Sequence, residues 1–236
     1  MQYLVRVSPQ LLESMTLAAI ESYCYGDGAI ESGENTSAHV SKEILGHIWG
    51  YRKIERDRTI FFLDRMSLNI SATRGPESVF DLNNRAAGLK NEVVKFLSPE
   101  LSLLGDFHTH PHPNTSEVVV RREGLYRFSP EDFESFIGDD LIWESSRNNP
   151  VMLVITVCER RKAVTDVSDY PHWNIATYPI GQFRFWISAV VGFLAGGKGT
   201  SRKRRKHTLN KAARVQLSID NYIQSLEGER VEIDQG

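Results

Sequence analysis

The sequence predicts an α/β fold: a mixed β-sheet sandwiched by helices, with a helical extension at the C-terminus. Three observations carry that expectation. Short runs rich in aromatic and β-branched residues recur across residues 44–71 and 101–191. Longer stretches with apolar residues at helical spacing separate them, the alternation that layered helix-and-sheet domains show. The 236 residues are 41% hydrophobic and 25% charged, the composition of an ordinary globular chain. That composition excludes extensive disorder, collagen-like repeats and a coiled-coil rod. With 28 Lys+Arg against 30 Asp+Glu the formal net charge is -2, which argues against a dedicated nucleic-acid binder, whose phosphate contacts need a basic surplus.

Each element follows from local chemistry. Ser8-Pro9 opens the first helix, with Ser as N-cap and Pro at the first helical position. Leu11, Leu12, Met15, Ala19 and Tyr23 follow at helical spacing and form one inward face. Residues 26–37, rich in glycine and small polar side chains, read as a loop. Residues 44–51, 59–63 and 66–71 read as strands of one sheet. A helix over about 82–97, using Ala86, Leu89, Val93, Val94 and Leu97, stops at Ser98-Pro99 because proline disfavours helix in its predecessor. A strand over 101–107 leads into a His-rich loop, 108–114. Ser129 opens a helix through about Glu144, 151–157 is a buried strand, and 161–167 and 183–191 are further strands.

The core domain is expected to span residues 1–195. Residues 196–208 form a Gly-rich, then basic linker, and 209–236 hold an amphipathic helix on Leu209, Ala212, Ala213, Ile219, Ile223 and Leu226. That helix is a candidate docking element for a protein partner. Cys24 and Cys158 are too few for a disulfide framework. The N-terminus lacks a secretory pattern, and no apolar run reaches the roughly 20 residues that span a bilayer. The expectation is a cytoplasmic protein with free thiols and no membrane span. A metal, if bound, must be held by His and carboxylates.

The stretch 105–114, GDFHTHPHPN, carries the chemistry. His108 and His110, two apart at a strand end, project to the same side because strand side chains alternate. Imidazole is a common zinc ligand, and a catalytic zinc takes three protein ligands and keeps one position for water. Ser129 and Asp132 stand three apart at a helix start, the spacing of a capping pair. Upstream, Glu43 is followed by Gly46 and Gly50, glycines that also suit close backbone packing. His112 reads as an exposed loop residue and His47, two before Trp49 in a strand pattern, as structural.

In this order the fragments E-x-x-G-x-x-x-G, H-T-H-P and S-x-x-D resemble the JAMM (MPN-plus) zinc metalloproteases, over roughly residues 8–190. The resemblance implies an MPN/JAB-like fold with His108, His110 and Asp132 as ligands of one catalytic Zn2+. It implies Glu43 as general base and Ser129 as hydrogen-bond donor to the oxyanion. It also supplies the substrate class: the C-terminal tail of a ubiquitin-like protein, joined to a lysine or carrying an extension. The sequence departs from the family in one place. Eighteen residues separate His110 from Ser129, longer than the family's spacing. The extra residues, within 112–128, suggest a lid or β-hairpin beside the metal. Asp106, Asp139 and Asp140 are the fallback third ligands.

Two other classes stay open. Asp106-x-His108-x-His110 also resembles the opening motif of PHP-type phosphoesterases and amidohydrolases, although those place it near the N-terminus and add later ligands. A non-catalytic MPN scaffold would bind partners only, and should purify without stoichiometric zinc. The near P-loop at Gly192–Lys198 has Gly199 where Ser or Thr should hold magnesium, and the basic run 202–206 reads as a solvated linker.

Overall fold

In the computed structural model, which describes residues 2–26, 41–74, 79–80, 84–160, 173–195, 206–210 and 214–219, Ser8 caps the first helix as its sequence predicts. β1 (Gln2–Val7) runs into α1 (Pro9–Tyr25), and the Ser8 Oγ accepts the Leu11 amide N–H at 3.1 Å. Leu11, Leu12, Met15 and Ala19 are buried against the sheet.

β2 (Leu45–Ile54) and β3 (Arg58–Leu68) form an antiparallel pair. The two strands expected at 59–63 and 66–71 are one, because Asp64 is the extra residue of a bulge opposite Trp49 and Gly50 rather than part of a turn. β4 (Thr73–Arg74) and β5 (Val79–Phe80) make a separate two-stranded ribbon before α2 (Asn84–Leu97). β6 (Ser102–Pro111) is longer than expected and carries His108 and His110 itself, so the predicted loop begins only at His112. The extra residues before Ser129 fold as α3 (Glu117–Glu123), not as a hairpin.

The single helix expected over 129–144 is two, α4 (Pro130–Gly138) and α5 (Asp140–Ser145). Asp139 leaves helical geometry between them, at φ -84 and ψ 85, and its side chain accepts the Ile142 N–H. β7 (Val151–Glu159), β8 (Ile175–Ile180), β9 (Phe183–Ala195), β10 (Lys206–Asn210) and β11 (Val215–Ser218) complete the described chain.

The strands form one mixed sheet in the order β10-β9-β7-β6-β2-β3-β1-β11, with β8 also on β9. β6–β7, β1–β3 and β1–β11 are parallel; the other pairs of this sheet are antiparallel. The far end curls back: β11 lies against β8 and β9, and the Leu217 N–H bonds the Trp173 carbonyl at 2.8 Å. The result is a nearly closed barrel.

This corrects the expected helix-sandwiched, MPN/JAB-like α/β sheet. Strands dominate, and α1 packs against the concave face among Val5, Phe61, Phe107, Leu153 and Phe185. The short helices α2–α5 sit outside, over Trp49, Leu103, Phe136, Met152 and Val190, and over Val120, Tyr126, Cys158 and Trp186. The reason lies in β1, β8, β10 and β11, none of them among the expected strands. β8 contains Pro179, and β10 and β11 lie where Leu209, Ala212 and Ala213 imitate an amphipathic helix. Adding those strands lets the sheet wrap upon itself.

The same strands correct the C-terminal expectation. Residues 206–210 and 215–218 are strands rather than linker and helix, and the core extends to the buried Ile219, past the boundary expected at 195. Residues 220–236, most of the basic linker and the strand expected at 161–167 lie outside the described residues. No helix among the described residues is long and apolar enough to cross a membrane.

Candidate metal centre

The pairing of β6 decides which side chains meet. His108 and His110 share the outer face, as their two-residue spacing predicts. β6 lies between β2 and β7, so both histidines stand on backbone tied from two sides. Gly46 and Gly105 allow that close fit: a Cβ on Gly46 would strike the Phe107 ring, and one on Gly105 the Val151 carbonyl. The glycines after Glu43 therefore have a packing role of their own.

Asp132 arrives from the opposite side, on the first turn of α4. The capping pair is realised in full: Ser129 Oγ accepts the Asp132 N–H at 3.1 Å, and Asp132 Oδ2 accepts the Ser129 N–H at 2.7 Å. This box fixes the carboxylate against the imidazoles. His108 Nε2 lies 3.2 Å from Asp132 Oδ1, His110 Nε2 lies 3.4 Å from Oδ2, and the two Nε2 atoms are 3.1 Å apart. Burial raises the Asp132 carboxyl pKa, but hydrogen bonds and charge from His108 and His110 outweigh it and hold the group well below the usual carboxylate range.

These three residues are the one group among the described residues whose His, Cys and carboxylate atoms converge closely enough to hold a metal ion. The donor set fits a divalent metal ion. With metal–ligand bonds of about 2.0–2.2 Å in a tetrahedron, ligand atoms stand about 3.3–3.6 Å apart, close to the separations of 3.1, 3.2 and 3.4 Å. Phe128 leans edge-on towards His108, with ring centroids 6.2 Å apart, and helps shield the cluster.

Glu43 precedes β2. Leu45 pairs with His108, and the Thr109 N–H bonds the Ile44 carbonyl at 3.1 Å. Glu43 itself lies two residues before that strand and is buried, at 9% exposure. Glu43 is not part of the converging group.

Of the fallback carboxylates, Asp139 caps α5 and Asp140 lies in its first turn. Asp106 is different. It shares the outer face with His108, and its Oδ1 is buried without a hydrogen-bond partner. Burial pushes its carboxyl pKa well above the ordinary value, reinforced by the charges of Asp139 and Asp132. The alternation D-x-H-x-H already contained that placement.

His112 is half-buried, with Nε2 3.4 Å from the Leu125 carbonyl, and His47 is buried. α3 is tied down by a buried ion pair, Arg184 Nε to Glu117 Oε1 at 3.3 Å. A cleft of about 340 Å³ at the start of β1 and β11, lined by Tyr3, Arg58, Trp173 and Arg214 among others, contains no His, Cys or carboxylate.

No protein-family model and no curated protein matches the chain. Among solved structures it is similar to the Trichoplax adhaerens STIL N-terminal domain, at 10% identity and a TM-score of 0.34. The alignment covers 81% of this chain and spans 43% of that one. A likeness at that level carries no argument about function.

Proposed function

We propose that the protein is a zinc-dependent peptidase or isopeptidase of the chemistry used by JAMM enzymes, acting after the C-terminal tail of a ubiquitin-like protein. The observation that carries this reading is the convergence of His108, His110 and Asp132, three residues from two separated motifs. The resemblance of the motif order to the JAMM family supplies the substrate class.

His108, His110 and Asp132 would hold the ion. When bound, zinc polarises a carbonyl and lowers the pKa of a coordinated water to about 7. Glu43, buried two residues before β2, takes the proton from the attacking water and returns it to the leaving amine, as general acid–base catalysis requires. Ser129 has two roles. Its oxygen accepts the Asp132 amide as a helix cap, while its own O–H stays available to donate to the oxyanion, a contribution of a few kcal/mol in comparable sites.

The test is metal content together with cleavage of ubiquitin-like fusions. Wild-type protein is expected to retain about one zinc per chain. Glu43→Gln is expected to keep that zinc and lose about 10²–10⁴-fold in turnover; unchanged turnover would remove the base role.

One observation favours a second reading, a metal-dependent phosphoesterase: Asp106 lies on the same face as the two histidines, buried and without a partner at Oδ1. Turnover of a simple phosphoester, with none of the fusions, would select it.

A further inference from the structure

We infer that Thr156 positions His110 when a metal is bound, its hydroxyl turning to accept the Nδ1–H of the imidazole whose Nε2 faces the metal position. The inference rests on the metal-centre reading above and extends it to a residue outside every motif.

β7 reads Val-Met-Leu-Val-Ile-Thr-Val-Cys before its terminal Glu159, and all eight residues are buried. Thr156 is the one hydroxyl in the strand, at 0% exposure. Valine would fill the same volume and favours strand equally. A buried hydroxyl is costly without a hydrogen bond, yet Thr156 Oγ1 makes none.

The register names its neighbours. Thr156 pairs with His110 on β6 and with Trp186 on β9, and partners in a ladder point to the same face. Along β7 the same face carries Val154 and Cys158. Tyr126 stacks on Trp186 with ring centroids 6.1 Å apart and is itself buried, so this part of the face is closed from solvent.

Two of these neighbours carry an N–H, the Trp186 indole and the His110 imidazole, and His110 is the one whose orientation the metal position depends on. Its Nε2 is directed at Asp132 and His108, and a ligating imidazole carries its proton on the other nitrogen. Metal-bound histidines hand that N–H to an outer partner, which fixes the tautomer and ring orientation and raises ligand basicity. Adjacent strands lie about 4.8 Å apart, and a change of staggered rotamer re-aims a threonine hydroxyl.

The experiment compares wild type, Thr156→Val and Thr156→Ser by competition for zinc against a chromophoric chelator, with the melting temperature of each metal-free protein alongside. Thr156→Val is expected to bind zinc about 10–100-fold more weakly at an unchanged metal-free melting temperature, and Thr156→Ser to restore wild-type affinity. Wild-type affinity in Thr156→Val, or equal weakness in the serine variant, overturns the inference and leaves the metal centre standing. A wild-type protein that binds no zinc overturns both. Nitrogen NMR of the zinc-loaded wild type gives a reading that needs no variant to fold. A His110 Nδ1 proton slow to exchange is expected; an Nδ1 proton in fast exchange with solvent overturns the inference.

Discussion

The two faces of the sheet are built on different rules. The concave face is packed with apolar side chains around α1, and Thr16 and Thr109, which enter it, are bonded. Thr16 Oγ1 meets the Tyr178 hydroxyl at 2.7 Å, and Thr109 Oγ1 accepts the Ile44 amide at 3.0 Å. The outer face carries His108, His110, Asp106 and Thr156, with Glu117 of α3 packed over it, and three of these five hold buried oxygens with no hydrogen-bond partner. One face holds the barrel together, and the other carries the two histidines that meet Asp132.

The largest effect that can break this division comes from the concave side. Phe61→Ala, at a fully buried position, is expected to lower unfolding free energy by about 3–5 kcal/mol, read as a lower urea midpoint. Zinc content of the folded fraction should be unchanged. His108→Ala should do the reverse, losing zinc with a much smaller shift in the metal-free midpoint. If both variants lose stability alike, the faces are not separable.

A smaller effect concerns pH. Because the folded carboxyl of Asp132 is held below its ordinary value of 3.8, its contribution to stability is present above that value and fades as pH falls below it. In metal-free protein, Asp132→Asn is therefore expected to be less stable than wild type at neutral pH. The gap should close as pH drops below about 4. A constant gap would mean that the imidazoles do not stabilise the charge.

The smallest effect sharpens the comparison through the two thiols. Burial, with the charge of Glu117 beside it, pushes the Cys158 thiol up to about 12, and Cys24 is only half-buried at the end of α1. A thiol reagent should label Cys24 in folded protein and Cys158 only on unfolding. Equal rates would place Cys158 outside the closed region under α3.

The sequence made the site more legible than the fold. His-x-His on a strand and Ser-x-x-Asp at a helix start are short-range patterns whose geometry follows from the pleat and from capping, and both were realised. The barrel depended on long-range pairing of strands with little pattern of their own. β1 meets β3 and β11 from opposite ends of the sequence, and no local window contains that information. The apolar positions 209, 212 and 213 suited a helix until β9 offered Leu209 a partner in Gly192. Thr156 was visible only as a hydroxyl in an apolar run, a signal with no meaning until His110 stood beside it.

The box that starts α4 has a thermodynamic consequence. Asp132 closes the helix through the Ser129 amide and faces both imidazoles with the same two oxygens. Any cation gripped there also tightens the opening turn of α4, so occupancy and local order are linked quantities. Ligand linkage at a thousandfold excess over the dissociation constant adds about 4 kcal/mol to the folded state. Removing the cation with a chelator would then be felt first as faster exchange of the Ser129 and Asp132 amide hydrogens, well before the barrel itself loosens.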